Sequence, residues 1–258
     1  MSFSFDFSSR VVIVTGASGG IGSAIVEAFA IAGATVAALD LTPASGGNAV
    51  SFEVDVTVGS DVQDAVSEIA TSLGRPSIVV NNAGIAGRVG LPFTRLDQAD
   101  WTSAWDVNVI GLFNVSKAVV PHLKEASDAA IVNIASVSGR TGFQTSPPYS
   151  ASKAAVINFT QVMARDLAGD GIRVNAVCPG MVLTPFYRAQ RLAAAEADPS
   201  LANVSDEQYF EEKARSLIPL GRGQTPAEVA NTVCFLASDA ASAITGQSLN
   251  VDGGLVMS

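Results

Sequence analysis

Histidine is almost missing from this sequence: His122 is the only one, and Cys178 and Cys234 are the only cysteines. A zinc site takes about four His, Cys or carboxylate ligands, and two cysteines make no disulfide framework, so neither is expected. A nucleophilic triad would have to use His122, which follows Pro121 and reads as a helix-end residue near free carbonyls. Both cysteines sit in apolar runs and read as buried small hydrophobes. Charge is scarce as well, at 15% of residues with a net charge of −9 and no cluster of Lys or Arg. Neutralising phosphates needs a basic face, so nucleic acid is not an expected partner. No apolar run approaches the ~18 residues of a membrane span, and residues 1–10 lack both a basic n-region and an apolar h-region. The expectation is a cytoplasmic protein with no membrane partner. No linker, internal repeat or low-complexity segment divides the chain. With hydrophobic residues at 48%, residues 1–258 are expected to fold as one domain with ample core.

What is present begins with the apolar run Val11-Val12-Ile13-Val14, which meets three spaced glycines in Thr15-Gly16-Ala17-Ser18-Gly19-Gly20-Ile21-Gly22. A helical pattern succeeds it, with Ile21, Ile25, Val26 and Phe29 on one face, ending at Gly33. A strand that turns tightly into a helix leaves the first helical N–H groups without intrahelical partners. Glycines let a pyrophosphate approach them and the positive end of the helix dipole. The spacing Gly16-x3-Gly20-x-Gly22 departs from G-x-G-x-x-G, so the turn gains force from the residues further along the chain. The next apolar run, Thr35 to Leu39, stops at Asp40, 18 positions after Gly22. That is where an acidic residue takes ribose hydroxyls in a dinucleotide site.

Strand and helix patterns then alternate. Strands are expected at residues 10–15, 35–39, 49–54, 77–80, 130–135, 173–177 and 247–250. Helices are expected at 20–32, 61–73, 99–120, 147–167 and 226–237. Such alternation implies parallel βαβ units in a doubly wound α/β sheet, with ligands at the carboxyl ends of the strands. Asp55, Asn81-Asn82-Ala83-Gly84, Ser136 and Cys178-Pro179-Gly180 each stand at such an end. Asp55 reads equally as a turn or helix-capping residue. The pair Pro147-Pro148 marks a helix start, placing Tyr149 in the opening turn and Lys153 one turn on, on the same face. From Thr184 to Pro219 the alternation gives way to two short helical patterns, 189–196 and 207–216, in polar surroundings. Residues 185–218 therefore read as a lid. The lid carries Phe186, Tyr187, Arg188 and Arg191, which admits an aromatic or an anionic substrate. The Phe3, Phe5, Phe7 alternation reads as an edge contact.

These residues together resemble the short-chain dehydrogenases/reductases from about Arg10 to the C-terminus. The glycine turn matches the family's Thr-Gly-x3-Gly-x-Gly, and Asn81-Asn82-Ala83-Gly84 matches its strand-four motif. Tyr149-x3-Lys153 matches its catalytic pair, with Ser136 thirteen positions upstream. Pro179-Gly180-x-Val182-x-Thr184 is similar to the segment that closes over the nicotinamide. The resemblance implies a single Rossmann-type domain of about seven parallel strands with helices on both faces. It implies Asn108, Ser136, Tyr149 and Lys153 as the catalytic group. NAD contacts are implied at Gly16, Ser18, Gly19, Gly20, Ile21 and Gly22, at Asp40, Asp55 and Val56, and at Asn82, Ala83 and Gly84. Further contacts are implied at Tyr149 and Lys153 and at Pro179, Gly180, Val182 and Thr184. A homotetramer is the implied assembly.

The chemistry stands without the name. Oxidising a secondary alcohol needs a base for the hydroxyl proton and a donor for the substrate oxygen. Tyrosine serves as that base if its pKa falls, and a lysine ammonium beside a cationic nicotinamide supplies charge of the right sign. Ser136 would hold the substrate oxygen, with Ser138 as the fallback. Asn108 reads either as a back-bonded helix residue or as the holder of a water that relays protons to Lys153. The expected reaction is hydride transfer between NAD(H) and a small secondary alcohol or ketone, of the polyol, sugar-alcohol, hydroxy-acid or aryl-carbinol class. The ending from Asn250 to Ser258 is similar to polyol and sugar-alcohol dehydrogenases. A non-catalytic NAD-binding sensor or scaffold is the alternative. An epimerase, dehydratase or lyase of the extended relatives is disfavoured because too few residues lie beyond Thr184.

Overall fold

The computed structural model describes residues 5–42, 49–142, 146–197 and 204–257. Seven strands form one all-parallel sheet: β1 (Val11–Thr15), β2 (Thr35–Asp40), β3 (Ala49–Glu53), β4 (Pro76–Asn81), β5 (Ala130–Ile134), β6 (Arg173–Pro179) and β7 (Ser248–Val251). Their order in space is β3-β2-β1-β4-β5-β6-β7, so the winding reverses between β1 and β4. Every residue of β1, β4 and β5 is buried, as their near-continuous apolar runs require of a sheet covered on both faces.

Alternation of side chains along β1 splits the core in two. Val11 and Ile13 join one cluster, with α2 (Gly59–Ser72), α4 (Leu112–Leu123) and α5 (Pro147–Leu167). Val12 and Val14 join the other, with α1 (Gly20–Ile31) and α8 (Pro226–Ala237). Phe7 belongs to this second core rather than to an edge: it is 1% exposed and its ring meets Phe29 edge-on at 4.8 Å. Phe3 lies outside the described residues. Cys178 and Cys234 are both buried.

The helix expected over 99–120 is present and holds a π-helical turn in its middle. It consists of α3 (Gln98–Trp105), a π-helical turn (Asp106–Gly111) and α4, which continues through Pro121 to Leu123. The π turn carries Asn108 inward to a position where its side chain makes three hydrogen bonds outside its own helix. Such turns insert a residue and re-aim a side chain, commonly at functional sites. Among the described residues no helix is long and apolar enough to cross a membrane.

Candidate active site

The reversal of winding between β1 and β4 opens a crevice at the carboxyl ends of the strands, and the chain stitches that crevice tightly. Thr15 Oγ1 accepts hydrogen bonds from the backbone N–H groups of Asn82 and Ala83, both at 3.0 Å. The Asn82 amide donates to the carbonyls of Thr15 and Gly16 at 3.0 and 2.9 Å. Gly16 has φ +62°, and a Cβ on Gly22 would collide with the Gly16 carbonyl oxygen and approach Asn82 Nδ2 at 2.7 Å. The turn therefore has room only for glycine at these two places, and α1 starts against it. Gly19 caps α1 without any side-chain hydrogen bond, and the first turn holds no acid. By contrast α3, α7 (Asp206–Leu217) and α8 each begin in a reciprocal capping box. The N-terminus of α1 keeps its positive end for a ligand.

The crevice is a cleft of about 540 Å³, within the range of cofactor pockets. Its walls include every residue assigned from the sequence to cofactor binding. The walls fit a dinucleotide by observation: a glycine cradle under an uncapped helix start at one end, and a carboxylate at the edge of β2. Asp40 Oδ2 accepts from the Ser18 N–H at 2.9 Å, and Oδ1 receives the Thr42 N–H at a long 3.4 Å. The carboxylate thus braces the glycine turn and retains acceptor capacity towards the cleft. Asp55 combines the two readings left open for it. Its Oδ1 accepts from the Thr57 N–H and hydroxyl at 2.9 and 2.7 Å, as a turn residue does, and it also lines the cleft.

Ser136, Tyr149 and Lys153 converge on the same cleft, from the end of β5 and the first turns of α5. Ser146 precedes the Pro147-Pro148 start, and its hydroxyl donates to the Ala86 carbonyl at 2.7 Å, anchoring the helix to the loop after β4. Lys153 Nζ donates to the Ile134 carbonyl at 2.8 Å and lies 5.7 Å from the centroid of the Tyr149 ring. Burial pushes the Tyr149 phenol up to about 12, while its hydrogen bond with Ser136 acts the other way. Burial brings the Lys153 ammonium down to about 8. Ser138 also lines the cleft, but its N–H donates to Ser136 Oγ at 3.1 Å, so its backbone positions Ser136.

Asn108 makes its side-chain hydrogen bonds to the loop after β4 and to α5. Its Oδ1 accepts from the Ile85 N–H at 2.9 Å, and its Nδ2 donates to the Ile85 carbonyl at 3.0 Å and to Ser152 Oγ at 2.8 Å. The side chain is committed to fixing the loop after β4 against α5, beside Lys153. Sequence reasoning missed Thr15 as the stitch between β1 and β4. It also missed Gly139, whose added Cβ would meet the Lys153 carbonyl carbon at 2.5 Å, so the turn after Ser136 closes directly on α5. The motif Ser136-x2-Gly139 was the available signal.

The helix expected over 189–196 begins a turn earlier, with α6 spanning Pro185–Ala197. Thr184 receives the Tyr187 N–H at 3.3 Å, and Phe186 and Tyr187 reach the cleft. The Phe186 ring lies 5.4 Å from that of Tyr149. Tyr187 packs edge-on against Phe210 of α7 at 5.0 Å, and burial raises its phenol to about 12. Arg188 and Arg191 do not line the cleft. Arg188 pairs with Glu207 at 2.7 Å and Asp206 at 3.7 Å, and Arg191 pairs with Asp206 at 3.3 Å, so they join α6 to α7.

A family model described as enoyl-(acyl carrier protein) reductase matches residues 16–256. The chain is 39% identical over 259 residues to FabG, a 3-oxoacyl-acyl-carrier-protein reductase of Thermotoga maritima, covering 96% of this chain and 98% of that protein. Its fold matches the aldohexose dehydrogenase of Thermoplasma acidophilum with a TM-score of 0.88 at 37% identity, over 96% of this chain and 94% of the other. It also matches a short-chain dehydrogenase/reductase from Brucella melitensis, named glucose/ribitol dehydrogenase, with a TM-score of 0.85 at 29% identity, over 99% and 100% of the two chains.

Proposed function

The chain belongs to the short-chain dehydrogenase/reductase family of nicotinamide-dependent oxidoreductases, and on that footing we propose that it transfers a hydride between NAD(H) and a secondary alcohol or its ketone. The observation that carries this reading is the convergence of Ser136, Tyr149 and Lys153 on one cleft whose far end is the glycine turn. A protein that only sensed a dinucleotide has no use for a tyrosine and a serine buried beside the lysine, which disfavours the sensor reading.

When bound, NAD+ supplies the hydride acceptor and a positive charge beside the tyrosine. In the oxidative direction the Tyr149 phenolate takes the hydroxyl proton as the carbinol C–H bond is lost as hydride, leaving ketone and phenol. Ser136 holds the substrate oxygen, and the Lys153 ammonium stabilises the phenolate. Asn108, through Ile85 and Ser152, keeps Lys153 and the β4 loop in register. Reduction runs the same proton back from the Tyr149 hydroxyl to the ketone oxygen.

The proposed cofactor is NAD(H) rather than NADP(H). A 2′-phosphate would meet Asp40 with a repulsion of order 4 kcal/mol per charge pair at 4 Å and an effective dielectric of 20. Ala17 and Ser18 in the turn and Leu41 and Thr42 after Asp40 offer no compensating base. Lys153 is the one basic residue lining the cleft among the described residues. The substrate is a polyol, sugar alcohol, hydroxy acid or aryl carbinol. The protein works as a cytoplasmic homotetramer of single-domain subunits, with residues 185–218 as the substrate lid. Trp101, Trp105 and Phe113 on the α3–α4 face and Val162 on α5 supply exposed apolar surface for assembly.

The test is to incubate purified protein with NAD+ or NADP+ and polyols, hydroxy acids, aryl carbinols and steroids, following absorbance of the reduced cofactor. Reduction of NAD+ by at least one alcohol is expected. No reduced cofactor from any alcohol, and none consumed by the matching ketones, would contradict the proposal.

A further inference from the structure

None of the 15 lysines and arginines of the chain falls outside the described residues, and Lys153 is the only one lining the cleft. That ammonium donates to the Ile134 carbonyl, faces the Tyr149 ring and is assigned to the tyrosine and the cofactor. The two lid arginines that admitted an anionic substrate are turned into the lid: Arg188 is held by Asp206 and Glu207, and Arg191, whose side chain is 7% exposed, by Asp206. Against the tyrosine stands an apolar ring instead, that of Phe186, while Ser136, Ser138 and Tyr187 supply the polar lining. An anion brought here would lose its hydration without gaining a side-chain cation to pair with, which makes it costly to bind.

Phe186 has the geometry to read what is bound. It stands in the first turn of α6, is half-buried, and its ring is tilted 48° to that of Tyr149 at 5.4 Å between centroids. A carbinol whose oxygen reaches Tyr149 and Ser136 must place one of its flanking groups beside this ring. Aromatic faces favour apolar and aromatic neighbours in offset or tilted contact.

Building on the oxidoreductase reading, we infer that the site takes an uncharged secondary alcohol or ketone bearing an apolar or aromatic group on the carbinol carbon, and that Phe186 selects that group. Hydroxy acids and other anionic alcohols are disfavoured by the absence of any second cationic side chain at the cleft, and polyols by the Phe186 ring beside the reacting carbon.

The experiment compares kcat/KM with NAD+ for neutral α-methylbenzyl alcohol, its anionic counterpart mandelate, and sorbitol. The neutral aryl carbinol is expected to exceed each of the others by about tenfold or more. In Phe186→Ala the ratio of kcat/KM for α-methylbenzyl alcohol to that for isopropanol should fall about tenfold, chiefly through KM, and Phe186→Leu should recover part of it. Mandelate or sorbitol used as well as the neutral carbinol would overturn the inference while leaving the oxidoreductase reading in place. So would a ratio unmoved in Phe186→Ala. Absence of turnover with every alcohol and ketone would overturn the reading itself, and the inference with it.

Discussion

The Lys153 ammonium sits 5.7 Å from the centroid of the Tyr149 ring, one helical turn away on α5, and is tethered there by the Ile134 carbonyl at 2.8 Å. Burial alone works against this pair as a catalytic unit, raising the phenol to about 12 and lowering the ammonium to about 8. A cofactor's positive charge beside the phenol would act against the first effect. Lys153→Ala should therefore lower kcat for alcohol oxidation by about a hundredfold or more and weaken NAD+ binding. Steady-state kinetics and a fluorescence titration measure the two effects. Unchanged NAD+ affinity would remove the binding role.

The signs of these shifts set the pH dependence. Oxidation needs the phenolate, so its rate should rise with pH through the tyrosine pKa, whereas reduction needs the phenol and should fall. In the protein alone the phenol persists up to about 12, and Lys153 is largely charged only below about 8. The pKa seen in kcat/KM for the alcohol, which reports the NAD+ complex, should lie well below 12. An oxidative limb still rising with unit slope at the highest tolerated pH would show that the cofactor's charge does not reach Tyr149.

Asp40 should set cofactor choice. Half of the ~4 kcal/mol repulsion against a 2′-phosphate still corresponds to about thirtyfold in preference for NAD+. Asp40→Ala should cut the ratio of kcat/KM for NAD+ to that for NADP+ by about tenfold or more. A wild-type ratio near or below one, or a ratio the substitution leaves unmoved, would show that this carboxylate does not read the ribose.

α6 is joined to α7 through Asp206, which receives both Arg188 and Arg191. Asp206→Ala removes that carboxylate from the buried Arg191 guanidinium and should speed limited proteolysis within 185–218 and lower Tm by several degrees. NAD+ with substrate should slow the same cleavage in wild type. Equal cleavage with and without ligands would show that the lid does not close on them.

Much of this was legible because the signals are local. The apolar runs of β1, β4 and β5, the stop of β2 at Asp40, and the Pro147-Pro148 start ahead of Tyr149 are written in consecutive residues. What escaped depends on contacts far along the chain. The π turn within 99–120 carries Asn108, which bonds Ile85 and Ser152, and no periodicity within the helix records those partners. The lid arginines looked free because their carboxylates lie on α7, beyond residues 198–203. Gly139 is dictated by the closeness of Lys153, and the rise of the Tyr149 pKa by burial that a motif does not register.

The central claim is that the Tyr149 hydroxyl carries the substrate proton, and its most direct test is Tyr149→Phe. The phenylalanine keeps the ring and its contact with Phe186 but has no proton to exchange. With the alcohol identified in the screen, kcat should fall at least about a thousandfold while NAD+ still binds by fluorescence titration. Turnover within about tenfold of wild type would contradict the account.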